Sequence, residues 1–426
     1  MHQSRLLPVG ETRETELAGS PQLERSVTIL TGGGDRPYAL GLAASLIAQG
    51  ICFDFIASDY LESAELRSSP QVRFLNLRGD ASPEASTTTK IARVLRYYGR
   101  LLRYAATAQT DVFHILWNNK LEFFDRTVLL LYYRCLGKRI VFTVHNVNAS
   151  RRDGNDTALN RLTLWLQYRL VDHLFVHTQQ MKQELQTDFG VSDRKITLIP
   201  FGINSTVPDT TLSGAEARRR LGLVESDKVV LFFGNIAPYK GLEYLVEAVA
   251  LVADRLPECR LVIAGRPKGS EAYWSAIKDR ITSLGLDSRV VQRIEYVPDA
   301  DTEVYFKAAD VLVLPYTHVF QSGVLFLGYN FGLPAIAADV ASLKEDIVEG
   351  TTGFVCPPRN PVALAQAIER FFSSELYTSR TSRRHAIRRF ASERYSWTIV
   401  GSKTREVYRD VLVEQPAAFS RFPKGL

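Results

Sequence analysis

Short apolar runs of four to six residues alternate with longer segments of helical period along nearly the whole chain, and the alternation breaks once and then restarts. A run that is apolar at every position leaves no face for water, so it suits a strand of a parallel sheet covered by helices on both sides. In the first half such runs predict strands at Val27–Thr31, Cys52–Ala57, Val72–Leu75, Val112–Leu116, Ile140–His145, Leu174–His177 and Ile196–Ile199. Pro200-Phe201-Gly202-Ile203-Asn204 and the Thr/Pro-rich stretch to Leu212 then read as a linker. The pattern resumes with Val229–Phe233, Leu261–Ala264, Val290–Gln292, Val311–Leu314, Ala335–Ala337 and Gly353–Val355. Two Rossmann-like α/β halves of roughly 200 residues each are the expectation. At 426 residues and 46% hydrophobic, the chain is too long for one ordinary core and has the apolar side chains for two. The expected division is a disordered tail over 1–25, one domain over 26–205, a second over 206–395, and a helix with a tail over 396–426.

Several function classes recede on composition. Cys52, Cys135, Cys259 and Cys356 are far apart and form no C-x-x-C pair, which argues against a disulfide framework or a zinc site and fits a reducing cytoplasm. The first ~25 residues lack the apolar segment of a signal peptide, and no stretch approaches the ~18 apolar residues of a membrane span. A net charge of +6 and a pI near 9.0 favour acidic partners, with nucleic acid, anionic lipid and phosphorylated small molecules all open.

Sites in doubly wound sheets form beyond the carboxyl ends of strands. Val311–Pro315 leads into the turn Gln321-Ser322-Gly323-Val324 and a helix that stops at Gly332-Leu333-Pro334. The first amides of a helix lack intrahelical partners, so this strand, turn and helix make an anion site suited to phosphate. Phe320 to Gly332 contain no carboxylate. Val229–Phe233 opens into Gly234–Gly241, where Lys240 precedes a helix and offers a counter-charge for a diphosphate, or else is a solvated loop lysine. Gly32-Gly33-Gly34 after the first strand is either a tight turn or a loop that lets a ligand touch backbone. It is not a G-x-G-x-x-G, which counts against a nicotinamide enzyme. His145 ends a strand and is either structural or placed to hydrogen-bond a sugar in either protonation state.

Two other patterns imitate metal sites. Asp299-x-Asp301 follows Pro298 and opens a helical segment, so helix capping explains it. His173 and His177 flank a strand, which separates their rings by roughly 13 Å. Lys90 to Ala106 predicts a basic amphipathic helix, with Ile91, Val94, Leu95, Tyr98, Leu101 and Leu102 in one stripe and Lys90, Arg93, Arg96, Arg100 and Arg103 in the other. Either it packs on the sheet with a solvated basic face, or Lys90–Arg103 meets an anionic membrane. Arg380, Arg383, Arg384, Arg388 and Arg389 leave the same choice.

Together these residues resemble the GT-B glycosyltransferases, closest to glycosyltransferase family 4. The resemblance rests on Phe233-Gly234-Asn235-Ile236 with Lys240-Gly241, Leu261–Gly265, Ala308–Pro315, Gly332-Leu333-Pro334 and Glu349–Phe354, and it spans about Val27 to Tyr408. It implies an amino-terminal acceptor domain, a carboxyl-terminal domain for a nucleotide-diphosphate sugar, a cleft between them, and a last helix near Trp397–Val411 that crosses back to the first domain. It further implies retaining transfer with no tightly bound metal or cofactor, to a saccharide or polyprenyl-linked acceptor in cell-surface or exported polysaccharide synthesis. The setting would be the cytoplasm, peripheral to the membrane's inner face, with no nucleic-acid partner.

Carried over by position, the resemblance assigns Lys240 and the amides near Gly323 and Val324 to the diphosphate, with Gly234 in the same loop. His145 falls to the transferred sugar, Gly33 to the donor-facing loop, and Arg266 and Val297 to the edge holding the base. Three departures stand out: Asn235 replaces a common arginine, and Val319 and Leu327 occupy the places of two glutamates. Valine and leucine accept no hydrogen bonds, so His318, Gln321 or Ser322 would substitute, as in a branch of family-4-like enzymes with a similar Gln-Ser-Gly-Val turn. The rival reading is a noncatalytic GT-B scaffold that binds a nucleotide or a partner protein.

Overall fold

The computed structural model describes residues 26–79, 86–152, 154–203, 207–267, 269–319, 322–340 and 342–413. The tail expected over 1–25 lies outside these residues. All thirteen expected strands form, in two parallel sheets. The first contains β1 (Val27–Leu30), β2 (Phe53–Ala57), β3 (Val72–Asn76), β4 (Val112–Ile115), β5 (Arg139–Thr143), β6 (His173–Val176) and β7 (Ile196–Leu198), in the order β3-β2-β1-β4-β5-β6-β7. The second contains β8 (Lys228–Phe233), β9 (Cys259–Ala264), β10 (Val290–Arg293), β11 (Val311–Leu314), β12 (Ala335–Ala338) and β13 (Gly353–Cys356), in the order β10-β9-β8-β11-β12-β13. Strands such as β1, β4 and β11 are buried at every position because helices cover both faces of each sheet.

The helices used below are α1 (Arg36–Ala48), α2 (Thr87–Thr107) and α3, which runs from Glu122–Phe124 through a π turn at Asp125–Leu129 to Leu130–Cys135. They continue with α4 (Ala158–Leu170), α5 (Gln179–Phe189), α6 (Leu242–Val252), α7 (Asp299–Ala308), α8 (Gly323–Asn330), α9 (Arg380–Tyr395) and α10 (Trp397–Val413). One face of the first sheet packs on α2, α3, α4 and α5. The other packs on α1 and on Val400, Val407, Tyr408 and Val411 of α10, so the last helix returns to the first sheet. His114 of β4 ties it there: its Nδ1 bonds the Tyr408 hydroxyl at 2.7 Å and its Nε2 bonds Thr143 at 2.8 Å.

Both crossings between the sheets meet at Ile203. Its amide donates to the Tyr395 carbonyl at 3.1 Å, and its carbonyl accepts from the Trp397 indole at 2.8 Å. The indole fits because residues 41 and 202 are glycine; a Cβ at either would lie within 2.3 Å of the ring.

Two sequence choices resolve here. The expected capping by Asp299 or Asp301 does not form: Pro298 is the N-cap of α7 and no side chain caps the helix, while both acids lie in its first turn, where their charge suits the helix amides. Among the described residues no group of acids, histidines and cysteines could hold a metal, no helix is long and apolar enough to cross a membrane, and the four cysteines are free. The Arg380–Arg389 cluster is largely taken up by the protein itself. Arg384 donates to the carbonyls of Phe306, Ala309 and Phe331 at the ends of α7 and α8, Arg383 pairs with Glu375 at 2.5 Å, and Arg388 pairs with Asp209 at 2.9 Å.

Candidate functional site

In each sheet the strand order reverses beside the first strand, between β1 and β4 and between β8 and β11. Crevices open beyond the carboxyl ends at such points. The first holds Gly32–Gly34 and Trp117; the second holds Gly234–Lys240, Pro315–Val319 and Ser322.

The glycine triplet has a packing reason. Gly32 and Gly33 adopt positive φ (59° and 79°), and a Cβ at Gly32, Gly33 or Gly34 would strike the Trp117 carbonyl, the Arg78 guanidinium or the Trp117 ring respectively. Arg78 is held beside the loop by donating to the Gly32 carbonyl at 2.9 Å and to Asn119 at 2.8 Å, above the Tyr97 ring.

His145 stacks on Trp117 with centroids 4.1 Å apart and planes 3° from parallel, and Tyr38 meets it edge-on at 4.7 Å. Its protonation follows from its neighbours. His177 Nδ1 lies 3.3 Å from the Ile199 carbonyl, which only accepts, so Nδ1 carries the hydrogen. Burial lowers the His177 pKa to about 4, so the ring is neutral and its Nε2 is a bare acceptor. His145 Nδ1 lies 3.3 Å from that Nε2 and therefore donates to it. Burial, and then the neighbouring His177, hold His145 well below the usual imidazole range. What remains is His145 Nε2, a lone-pair acceptor that is buried and has no hydrogen-bond partner among the described residues. The expectation that His145 works in either protonation state is thereby narrowed to one: neutral, and accepting.

On the opposite wall, Lys240 is only 7% exposed although it ends a single turn, Pro238–Lys240. Its Nζ lies 3.1 Å from where a Gly234 side chain would begin and 5.3 Å from the Tyr316 ring centre. It makes no ion pair among the described residues, and burial lowers its pKa. Ser322 precedes α8 without capping it; its Oγ and the Tyr316 hydroxyl are buried and meet no well-aligned hydrogen-bond partner among the described residues, although Ser322 lies near enough to Tyr316 to oppose the rise in its pKa that burial causes. The first turn of α8 carries no acid. A wall with a buried cation, buried hydroxyls and helix amides is matched to an anion. Phe201 joins the two walls: its ring lies 5.1 Å from His177 and 5.3 Å from Tyr38, and stacks at 5.5 Å on Phe326 of α8.

Comparison with known proteins decides the class. Residues 32–207 match the family model described as Glycosyltransferase Family 4, and residues 227–374 match Glycosyl transferases group 1. The chain is a GT-B glycosyltransferase of the family-4 type. A D-inositol 3-phosphate glycosyltransferase of Corynebacterium glutamicum is 25% identical over 90% of this chain and 93% of that one. Among solved structures, sucrose-phosphate synthase from Thermosynechococcus elongatus aligns with a TM-score of 0.72 at 20% identity, covering 91% of this chain and 99% of that one. Anabaena HepE in complex with UDP and glucose aligns with a TM-score of 0.69 at 18% identity, covering 91% of this chain and all of that one.

The positions singled out in the sequence of this glycosyltransferase are not equivalent in space. Gly234, Lys240 and Val324 converge, with a Gly234 Cβ position 3.5 Å from the Val324 side chain, and Ser322 adjoins them through Tyr316. Gly323 sits at the mouth, 3.8 Å from the Phe201 ring when given a Cβ. Gly33, Asn235 and His318 are exposed, Arg266 is exposed and lies over the Tyr296 ring at 5.3 Å, and Val297 is half-buried. Gln321 lies outside the described residues. Val319 and Leu327 are buried in the second sheet's core, so the positions of the two expected glutamates serve packing here. Sequence reasoning missed His177, Trp117, Tyr38, Phe201, Arg78 and Tyr316. Trp117 and Tyr316 follow within two residues of a predicted strand's end, His177 is itself the end of one, and Phe201 lies in the linker, which was the available signal.

Proposed function

We propose that this glycosyltransferase moves a sugar from a nucleotide-diphosphate sugar to a saccharide or lipid-linked saccharide acceptor with retention of anomeric configuration, in the assembly of a cell-surface or exported polymer. The observation that carries the donor reading is Lys240, a nearly buried ammonium without an ionic partner among the described residues. A buried unpaired charge is costly unless a ligand neutralises it, and a diphosphate does so while the Ser322 hydroxyl and the α8 amides take its oxygens. The named complexes of HepE with UDP, glucose and UDP-glucose make the same ligand class reasonable here.

In this reading His145 Nε2 accepts a hydroxyl hydrogen of the transferred sugar. Lys240 and the helix amides stabilise the departing diphosphate, whose oxygen then takes the acceptor's proton on the same face of the sugar. No tightly bound metal is assigned. Closure of the two walls excludes water that would otherwise hydrolyse the donor. The burial of Val319 and Leu327 favours one rival, a GT-B scaffold that binds a nucleotide without turnover. A thermal-shift panel of UDP- and GDP-sugars followed by a nucleotide-release assay decides between them. Stabilisation with release of the nucleoside diphosphate is expected; stabilisation without release in the presence of any acceptor establishes the scaffold, and no response to any nucleotide refutes both.

A further inference from the structure

The arginine-rich start of α9 carries more charge than its contacts with the protein absorb. Arg380, Arg384, His385 and Arg388 line a cavity of about 330 Å3 together with Arg218, from the helix Gly214–Arg220, and Lys307, near the end of α7. Asp310 and Glu225 are the acids that line it with them. Arg218 is buried and pairs with Asp310 at 2.8 Å, and its other N–H groups meet the carbonyls of Ala308, Glu225 and Asp227. Lys307 and Arg388 share Asp209, each at 2.9 Å, and Lys307 also pairs with Glu303 at 2.7 Å. Arg384 donates to backbone carbonyls only, Arg380 lies 5.2 Å over the Tyr377 ring, and neither has an ion pair among the described residues. Two guanidinium charges thus meet at one cavity without a carboxylate of their own. Their place in the chain adds to the cost: α9 has no acid in its first turn, and the start of a helix is where positive charge is least favourable. Burial brings Arg384 down to about 10, a shift that Asp310 opposes and that Arg388, Arg218 and Arg380 reinforce.

Cations crowded against one another around an open space are relieved by an anion that enters it. We propose that this cavity is a second anion site, in which Arg380 and Arg384 take a phosphate group. Guanidinium forks match phosphate oxygens in bidentate geometry. The volume exceeds what orthophosphate alone fills and falls at the lower end of small-molecule sites, about 300–1,000 Å3, so a phosphate ester of a small polar molecule fits better than the free ion. Thr381 brings a hydroxyl, and Phe331 an apolar surface, to the remainder of such a molecule. The site is separate from the wall that holds Lys240. Asp310 precedes β11 and Pro315 follows it, so the strand sets the two places roughly 17 Å apart, at opposite edges of the second sheet. The site therefore lies outside the transfer reaction and does not depend on it.

Calorimetry and scanning fluorimetry of the full chain test this with inorganic phosphate and glucose 6-phosphate as probes, against glucose and against sodium chloride at matched ionic strength. The background is Lys240→Met, which removes the cation of the nucleotide wall. In that background both phosphate probes are expected to bind and to raise the thermal midpoint, while glucose and sodium chloride do neither. Tighter binding of glucose 6-phosphate identifies a phosphate ester as the guest, and equal binding identifies the free ion; either sustains the site. Arg380→Gln with His385→Gln, two exposed side chains without a hydrogen bond among the described residues, should weaken both probes about tenfold. The ligand-free midpoint of that double variant should not fall, because it takes positive charge from the start of a helix. Arg384→Gln should abolish binding, and Arg96→Gln, at an exposed position in the first half of the chain, should bind as the background does. Loss of phosphate binding on Lys240→Met alone, indifference to both the Arg380/His385 pair and Arg384→Gln, or equal stabilisation by sodium chloride would each overturn the proposal.

Discussion

Replacing Lys240 by methionine separates what this residue does for folding from what it does for a ligand. The two side chains are similar in length, and methionine accommodates irregular surroundings. In the ligand-free protein the substitution removes an ammonium that is 7% exposed and has no ionic partner among the described residues. Relieving such a charge is worth about 1–2 kcal/mol, against which the contact with the Tyr316 ring, 5.3 Å from Nζ, returns about 0.5–1 kcal/mol. The net gain of about 1 kcal/mol corresponds to a rise in Tm of about 2–4 °C for a domain of this size. With nucleotide present the sign reverses. A charge-assisted hydrogen bond to the diphosphate contributes about 1.5–3 kcal/mol, so affinity for UDP or GDP should fall about 10- to 150-fold. Scanning fluorimetry with and without each nucleotide reads both quantities in one experiment, and calorimetry supplies the affinity. A lowered Tm for the ligand-free variant, or an undiminished nucleotide response, would refute the assignment of Lys240 as an anion seat held at a cost to stability.

Two further expectations follow from buried titratable groups. His177→Phe deprives His145 Nδ1–H of its acceptor and should shift His145 toward the Nε2–H tautomer, whereas His177→Asn, which can both donate to Ile199 and accept from His145, should preserve it. Nitrogen-15 NMR of the imidazoles reads the tautomer directly, and KM for the nucleotide-sugar should rise about tenfold in the phenylalanine variant with UDP affinity unchanged; an Nε2–H tautomer in the wild type contradicts the network. Asp346 is raised to about 7 by burial, a shift its hydrogen bond from the Tyr395 hydroxyl opposes only in part. A raised carboxyl pKa gives stability that is complete below the unfolded value and lost as pH climbs through about 7. Asp346→Asn should therefore gain on the wild type by about 2 kcal/mol between pH 5 and pH 8, and chemical denaturation showing a constant difference across that range would disprove the shift.

The sheets were legible because buried parallel strands are apolar throughout: every predicted strand formed, with ends displaced by one or two residues. The pairing of His145 with His177 was not. These residues are 32 apart in sequence and approach only because β5 and β6 are adjacent with Thr143 opposite Phe175, which sets both histidines two residues beyond the last pair. Strand order, which no local pattern encodes, is what the sequence withheld. The glycine triplet was ambiguous for a related reason, since the Trp117 and Arg78 side chains that demand it come from other strand ends. Periodicity correctly marked a stripe on α2 but could not say how far the core extends beneath it, and Ile91 and Leu95 turn out to be exposed. The π turn at Asp125–Leu129 left no sequence signature.

Where the chain can be cut is decided at Ile203. Because α10 supplies Val400, Val407, Tyr408 and Val411 to the first sheet's core, severing the linker near residue 204 would not yield an independent amino-terminal domain. It would leave an apolar trench on α1 and β4, with the His114 side chain at its base stripped of the Tyr408 hydroxyl. A soluble fragment of that half requires residues 397–413 supplied in trans or rejoined by permutation, so the natural boundary of the first folding unit is not the linker but the far end of the chain.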